Sequence, residues 1–392
     1  MDKEHLDFLV DKMQAAVESE QNLQNKRLWK EQPAWARDNW RGCAQKHHNG
    51  VVPFTVDPQK ILWAKILATD ISEYWKDPDV QLACIINMEL HKFSVFKDNT
   101  YLAGNFAPWF SVVTELSMFG VDVDWRDDRD PWIKGGPLLQ EYDDLEKLQY
   151  PDFYKSGVMP VAHRFYESFL ETVKGRLEII FPDWARGPFC LAVHLRGMEN
   201  LLMDMYDNPE WVHKLMRFIT DSYKLWSTEH AKFTGQPLKK GKLFNDEINS
   251  PTLSPKMYRE FILPYEIEMG EFRGGISYFH SCGNITAFLH DILTIPQLDM
   301  IHIGPWTNLQ EAVNIIPADI SLDICIDPVD DVMYASEEEI RTHLTGIVDT
   351  CYRSNCSAFG VRADAFEILD NPEDDHQKIL RWCEIAREVF RQ

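Results

Sequence analysis

The chain has 392 residues, 45% of them hydrophobic and 26% charged, which is enough apolar material for a large core. The 62 Asp and Glu against 40 Lys and Arg leave a formal net charge of −22, which argues against a nucleic-acid partner because a phosphate backbone would be repelled. No apolar run of about 18 residues is present to span a membrane, and the eight cysteines are too scattered for a disulfide framework, so a reducing cytoplasm is the expected compartment.

The first stretch, MDKEHLDFLVDKMQAAVESE, reads as an acidic amphipathic helix without the apolar centre of a signal peptide. Irregular, Trp-rich chain follows (PAWARDNWRGCAQKHHNG). Asp57-Pro58 then opens the helical stretch PQKILWAKIL, and DPDVQLACIINMELHKFSVF predicts a second helix. Residues 120–150 are turn-rich and charged and predict a long loop. The 13 Trp among many other aromatics supply core, and also material for walling an apolar ligand pocket.

From about residue 160 short apolar runs alternate with helical patterns. The runs are LEIIF (177–181), FCLAVHL (189–195), KLFNDEI (242–248), GISYFH (275–280), DMIHIG (299–304), ISLDICID (320–327) and SAFGVRAD (357–364), with YLAGNFAPW (101–109) a less clear eighth. Repeated strand–helix alternation implies a parallel sheet, and near-continuous apolar strands imply that both faces are covered. The predicted fold is α/β, a (β/α)8 TIM barrel over residues 96–392 with an N-terminal helical extension over 1–95. A doubly wound sheet is the competitor, weakened because no GxGxxG or Walker-type loop follows the early strands.

In a barrel, functional groups gather at the carboxyl ends of strands. Here those ends offer His194 and Arg196, then Asn245, Asp246 and Glu247. Later strands add His280 and Cys282, then His302, then Cys325 and Asp327, and lastly Arg362 and Asp364. Residues i and i+2 of a strand share a face, so His280 and Cys282 can address one ion, and imidazole nitrogen with thiolate sulfur suits zinc. Gly283 would then let the backbone turn sharply. The bland reading keeps Cys282 as a small buried hydrophobe and His280 as a satisfied core histidine. Glu247 and Cys325 rank equally as the third ligand and Cys356 lower, with Asp246 and Asp327 still open. Arg362 and His302 could meet an anionic or phenolic group; an Arg362–Asp364 ion pair and a satisfied core histidine are the simpler readings. Arg196 is equally ambiguous. The Glu337-Glu338-Glu339 run reads as a solvated first helical turn.

FHSCGNITAFL, DMIHIGPWTNLQEAVNII and ICIDPVDDVMYASEEEI resemble the uroporphyrinogen decarboxylase superfamily, and LFNDEINSPTLSPKMYREFILPYEIEM is similar to its acidic–"SP"–"PY" stretch. The resemblance spans about residues 160–390 and implies the (β/α)8 barrel. True decarboxylases of the family carry an N-terminal Met-Arg-Gln-Ala-Gly-Arg segment that PAWARDNWRG does not match. The corrinoid-dependent methyltransferase branch binds zinc through His-x-Cys plus a later Cys. His280 and Cys282 match that pair, but FGVRADAF stands where the later "PGC" context belongs. That departure weakens the case for coenzyme M as substrate.

The resemblance thus implies a demethylase component that moves a methyl group from a small methylated, expectedly methoxylated aromatic, donor to cob(I)alamin. The acceptor would sit on a separate corrinoid protein, since no Asp-x-His-x-x-Gly motif is present. Zinc would be held by His280 and Cys282 with Glu247 or Cys325. Asp246, His302 or Arg362 would orient the substrate or protonate the leaving oxygen. Asn245, Tyr278, Trp306 and Arg196 are the expected substrate contacts. The alternatives are a metal-free decarboxylase using Asp246 or Asp327 with Arg362, and a binding module without catalysis. Association as a homodimer stays open.

Overall fold

A computed structural model describes residues 2–29, 50–126, 129–354 and 358–391. The strands in chain order are β1 (Phe54–Pro58), β2 (Asn105–Phe106), β3 (Val123–Asp124), β4 (Trp132–Ile133), β5 (Glu178–Ile179), β6 (Gly241–Phe244), β7 (Ile276–His280), β8 (Met300–Ile303), β9 (Ser321–Ile326) and β10 (Phe359–Phe366). Six of them form one parallel sheet in the order β1-β10-β9-β8-β7-β6. Helices connect the successive strands, which is what parallel pairing requires of a short connection.

The sheet has one apolar and one polar face. Phe54, Val56, Val361, Ala363, Leu322, Ile324, Ile301 and Phe279 join the main core under the helices. Thr55, Arg362 and Cys325 share one register row, as do His302 and Asp323, and these point to the other, inner face. Tyr278, Met300 and Phe244 make a separate small apolar cluster. The inner face is therefore a polar lining, whereas the sequence had predicted apolar cover on both sides.

The sheet edges are linked through short pieces. β2 pairs with β5 in parallel, and Arg186 bridges to Phe244 of β6. At the other edge the Asn99 N–H donates to Phe54 O (2.8 Å), and the Asp98 carboxylate accepts from the Val56 N–H (3.0 Å). Among the described residues this is a curled six-stranded sheet with two two-stranded pairs, β2-β5 and β3-β4, rather than one continuous eight-stranded ladder.

Two elements differ from expectation. FCLAVHL is not a strand but the helix Pro188–Arg196, in which every residue except His194 is buried. A helix buried all round carries no amphipathic period, so its sequence mimics a buried strand. β1 lies where only a helix start was predicted, inside the first 95 residues. Helices form at Lys3–Val17, Lys60–Ile66 and Pro78–His91, where the sequence predicts them, and at Glu337–Arg353 behind the acidic run. Ser336 and Glu339 make a reciprocal cap at the acidic run, each side chain meeting the other's backbone N–H. The Trp-rich segment around PAWARDNWRG, and Cys356, lie outside the described residues. Among those described, no helix is long and apolar enough to cross a membrane.

Candidate metal centre

β6 and β7 end side by side, joined by the Asn245 N–H donating to His280 O (2.8 Å). Beyond Phe244 the chain leaves the sheet, so Asp246 and Glu247 lie on a turn rather than on the strand predicted to residue 248. The turn after β7 packs on this loop. Ser281 Oγ–H donates to Ile248 O (2.9 Å), and a Cβ on Gly283 would meet Asn249 Cβ at 2.6 Å. Gly283 is thus required for close backbone approach.

This packing brings Asp246, His280 and Cys282 together, with one ligand atom of each within 4.8 Å of the others. His280 Nε2 lies 3.0 Å from Asp246 Oδ1 and 3.3 Å from Cys282 Sγ. The other ring nitrogen, Nδ1, lies 3.2 Å from Tyr278 Oη. Tyr278 donates its proton to Asp323 (2.5 Å), so His280 Nδ1 must carry the hydrogen in its bond to Tyr278. The 3.0 Å separation of Nε2 from Asp246 Oδ1 is that of a hydrogen bond when Nε2 carries a proton. Burial works to raise the Asp246 carboxyl, but the hydrogen bond and charge of His280 outweigh it and hold the group low. A cation held by Asp246, His280 and Cys282 would take the place of that proton. The imidazole nitrogen, sulfur and carboxylate oxygen form a donor set suited to zinc, so the residues present fit the metal that the resemblance implies. Partial burial of the thiol, then the Asp246 carboxylate, push the Cys282 thiol up, while the residue keeps an exposed edge.

Behind His280 a guanidinium meets two carboxylates. Arg362 contacts both oxygens of Asp323 (2.9 and 3.2 Å) and pairs with Asp364. Burial works to raise the Asp323 carboxyl, but the Arg362 guanidinium outweighs it and holds the group below the usual carboxylate range. Arg362, Asp323 and Tyr278 thus form a chain that orients His280 from behind, as partners of a ligating histidine commonly do. His302 lies against His280 with ring centroids 4.2 Å apart. Burial, then the charges of His280 and Arg362, push the His302 imidazole well down, so it is neutral. Its Nδ1–H donates to Ser281 O (2.7 Å) and leaves a buried Nε2 acceptor without a partner.

The expected site residues therefore separate. Asp246, proposed from sequence as an orienting or proton-transfer group, is the third member of the His280–Cys282 cluster. Glu247 instead turns to His194, with Oε1 2.9 Å from Nε2. Cys325 is on the inner face but outside either three-residue ligand group. Asp327 accepts from the N–H groups of Val329 and Asp330, which is a cap. Arg362 is engaged by two aspartates, the simpler of its two readings. The buried neutral His302 can accept a proton or hydrogen bond but has none to give at Nε2. Arg196 is held by Asp204 (2.8 Å) and by the carbonyls of Leu139 and Gln140, which leaves it a structural role. Asn245 is buried and donates to Glu266 (2.8 Å), and Trp306 is exposed. Asn245 Oδ1 would clash with any Cβ on residue 187, so Gly187 is what lets it fit.

Three polar residues escaped the sequence reading. Arg186 reaches Asp246 (3.7 Å), Asp323 orients Tyr278, and Glu266 lies buried behind Asn245. Only Asp323 had a usable signal, as an inward residue two before Cys325.

Comparison with known proteins bears on this site. A family model described as "Uroporphyrinogen decarboxylase (URO-D)" matches residues 88–357. A curated protein of Methanosarcina mazei, named as a methylated-thiol–coenzyme M methyltransferase, is 27% identical over 184 residues. That alignment covers 46% of this chain and 47% of the relative, so the match spans about half the length of each. A solved structure titled as a methyltransferase from Methanosarcina mazei aligns with a TM-score of 0.61 at 14% identity. It covers 87% of this chain and 95% of the other, and shows likeness of fold.

Proposed function

The chain belongs to the uroporphyrinogen decarboxylase family, and on that premise we propose that it is a methyltransferase. It would move a methyl group from a small methylated compound to cob(I)alamin carried on a separate corrinoid protein. The observation that carries this reading is the convergence of Asp246, His280 and Cys282, one ligand atom of each within 4.8 Å of the others. Those three residues would hold zinc, with Cys325 on the same inner face as a further candidate. The metal would supply Lewis acidity to the heteroatom that bears the methyl group, easing its departure as an anion.

The chain's own residues do the rest. Tyr278 holds Nδ1–H of His280, which aims Nε2 at Asp246 and Cys282. His302 Nε2, buried and neutral, can accept a hydrogen bond from the donor molecule or from water. The ring of Phe244 lies 4.9 Å from that of His280 and, with Tyr278, lines one side of the cluster with aromatic surface. That surface supports a methoxylated aromatic as methyl donor. A methylated thiol, the substrate in the name of the relative, is the competing class. We also place these strands in a closed (β/α)8 barrel, in which β1 (Phe54–Pro58) joins residues 96–392. No observation favours the decarboxylase alternative, since Arg362 and Asp327 are both engaged internally.

The test is zinc analysis of the purified chain, followed by methyl transfer to added cob(I)alamin from methoxyarenes and from methylated thiols. Bound zinc and methylcobalamin formed from a methoxyarene are expected. A chain that binds no zinc, or that methylates cob(I)alamin from neither donor class, would overturn the proposal.

A further inference from the structure

A second set of ligating groups stands beside the first, and the proposed function leaves it unused. Cys190 and His194 are four apart on the helix Pro188–Arg196 and so share one face. Glu247, the residue after Asp246, turns toward that face. Cys190 Sγ, His194 Nε2 and a Glu247 oxygen all lie within 4.8 Å of one another, and the His194–Glu247 contact is 2.9 Å. Ligands of a tetrahedral zinc at 2.0–2.3 Å are about 3.3–3.8 Å apart, a range that the 4.8 Å bound encloses, with the 2.9 Å contact somewhat shorter than a metal-bound pair. Cys190 is fully buried, and Glu247 Oε2 is a buried oxygen without a hydrogen-bond partner.

We propose that Cys190, His194 and Glu247 bind a second divalent cation of the zinc class. It pins the helix Pro188–Arg196 to the loop after β6, and thereby holds Asp246, the adjacent residue, against His280.

Two neighbours bear on the charge and water balance. Arg186 Nη1 is 2.6 Å from Cys190 Sγ and 3.7 Å from Asp246 Oδ2, so a single guanidinium serves both ligand sets. With both cysteines ionised, four anionic ligands offset the two dications, and the guanidinium leaves a single positive charge over the pair of sites. Without any cation, the Cys190 thiol and His194 are the groups that face the Glu247 carboxylate. Trp132 on β4 lies edge-on to His194 with centroids 5.7 Å apart and shields the outer side. The second site is thereby more enclosed than the first, whose Cys282 is exposed. A closed position suits a structural ion, and an open one a catalytic ion.

The inference is independent of the methyl-transfer reading, and one experiment separates them. The full chain and three variants are loaded with zinc, dialysed and assayed for metal by mass spectrometry. About two equivalents are expected for the natural chain, and about one each for Cys190→Ser with His194→Gln and for His280→Ala with Cys282→Ala. Glu247→Gln, which keeps the side-chain shape, is expected to lower retention at the second site alone.

Cobalt then reports on the sulfur ligand. In the His280→Ala, Cys282→Ala background, Co2+ is expected to show thiolate charge-transfer absorption that disappears on adding Cys190→Ser. One equivalent in the natural chain, kept by the Cys190/His194 variant and lost by the His280/Cys282 variant, overturns this inference and leaves the methyl-transfer reading standing. No metal in any form overturns both.

Discussion

Two polar groupings share strand β7 and the inner face of one sheet, yet differ in how their hydrogen bonds close. In the Tyr278–Asp323–Arg362 grouping each charge meets an opposite charge: the guanidinium lies against two aspartates, and the tyrosine proton goes to one of them. In the Asp246–His280–Cys282 grouping an imidazole nitrogen, a sulfur and a carboxylate oxygen converge, with Nε2 3.0 Å from the oxygen and 3.3 Å from the sulfur. The first grouping is buried, whereas Cys282 is exposed and Asp246 half-buried. Where charges close on one another inside the core, the grouping supports the fold. Where ligating atoms converge at an accessible edge, the grouping suits something to be bound.

Substitutions can break that contrast. The largest expected effect comes from His280→Ala with Cys282→Ala. This pair should cut methyl transfer by about a thousandfold or more, in line with the several kcal/mol attributed to a Lewis-acid metal. Thermal unfolding of the metal-free chain should move little, because this grouping lies at an accessible edge. A large drop in melting temperature would place these residues with the scaffold instead.

Asp323→Ala is the converse. It leaves a buried guanidinium short of a partner and should destabilise the chain by about 3–5 kcal/mol in a urea titration. A loss under about 1 kcal/mol would show that Arg362 and Asp364 suffice without it.

The third grouping, Asn245–Glu266–Tyr258, lies behind the loop and sharpens the contrast through pH. Burial pushes the Glu266 carboxyl up to about 7, against the lowering effect of its bonds to Tyr258 and Asn245. The folded state therefore favours the protonated form. Its stabilising contribution is full below the ordinary glutamate value near 4.5 and is lost as pH rises to about 7. The difference is on the order of 3 kcal/mol across that window. Glu266→Gln should remove this slope from the melting temperature measured between pH 5 and 8, and an unchanged slope would assign it to another group.

Tyr278→Phe tests the link between the first two groupings. It deletes the hydroxyl that fixes the His280 tautomer but keeps the ring. Zinc affinity should fall about 10- to 100-fold in a competition titration, with little change in folding. Unchanged affinity would mean that His280 is oriented by its neighbours in space rather than by this bond. The smallest effect is expected at exposed Trp306, where Trp306→Ala should change stability by less than about 0.5 kcal/mol. A loss of methyl transfer there would place Trp306 on the substrate path, as first expected from the sequence.

Much of the fold was legible because periodicity depends on local chain geometry. The alternation of strand and helix after residue 160 follows from which residues repeat at two or near four. The His280-x-Cys282 pair was legible by its spacing, but β7 ends at His280 and the turn beyond it sets the direction of Cys282. FCLAVHL was not legible, since a segment buried on all sides has no period to read. β1 was hidden because a five-residue strand beside Asp57-Pro58 also reads as the lead into a helix. The choice of Asp246 over Glu247 was equally closed to sequence. The two acids are adjacent, chemically near-identical, and lie on a turn where side-chain alternation no longer holds. Their directions were decided by packing against two separate partners, β7 on one side and the helix Pro188–Arg196 on the other. The sequence by itself determined the layered α/β pattern and which residue types reach the strand ends. Only the tertiary structure decided which of those groups converge, because convergence depends on contacts between segments far apart in the chain.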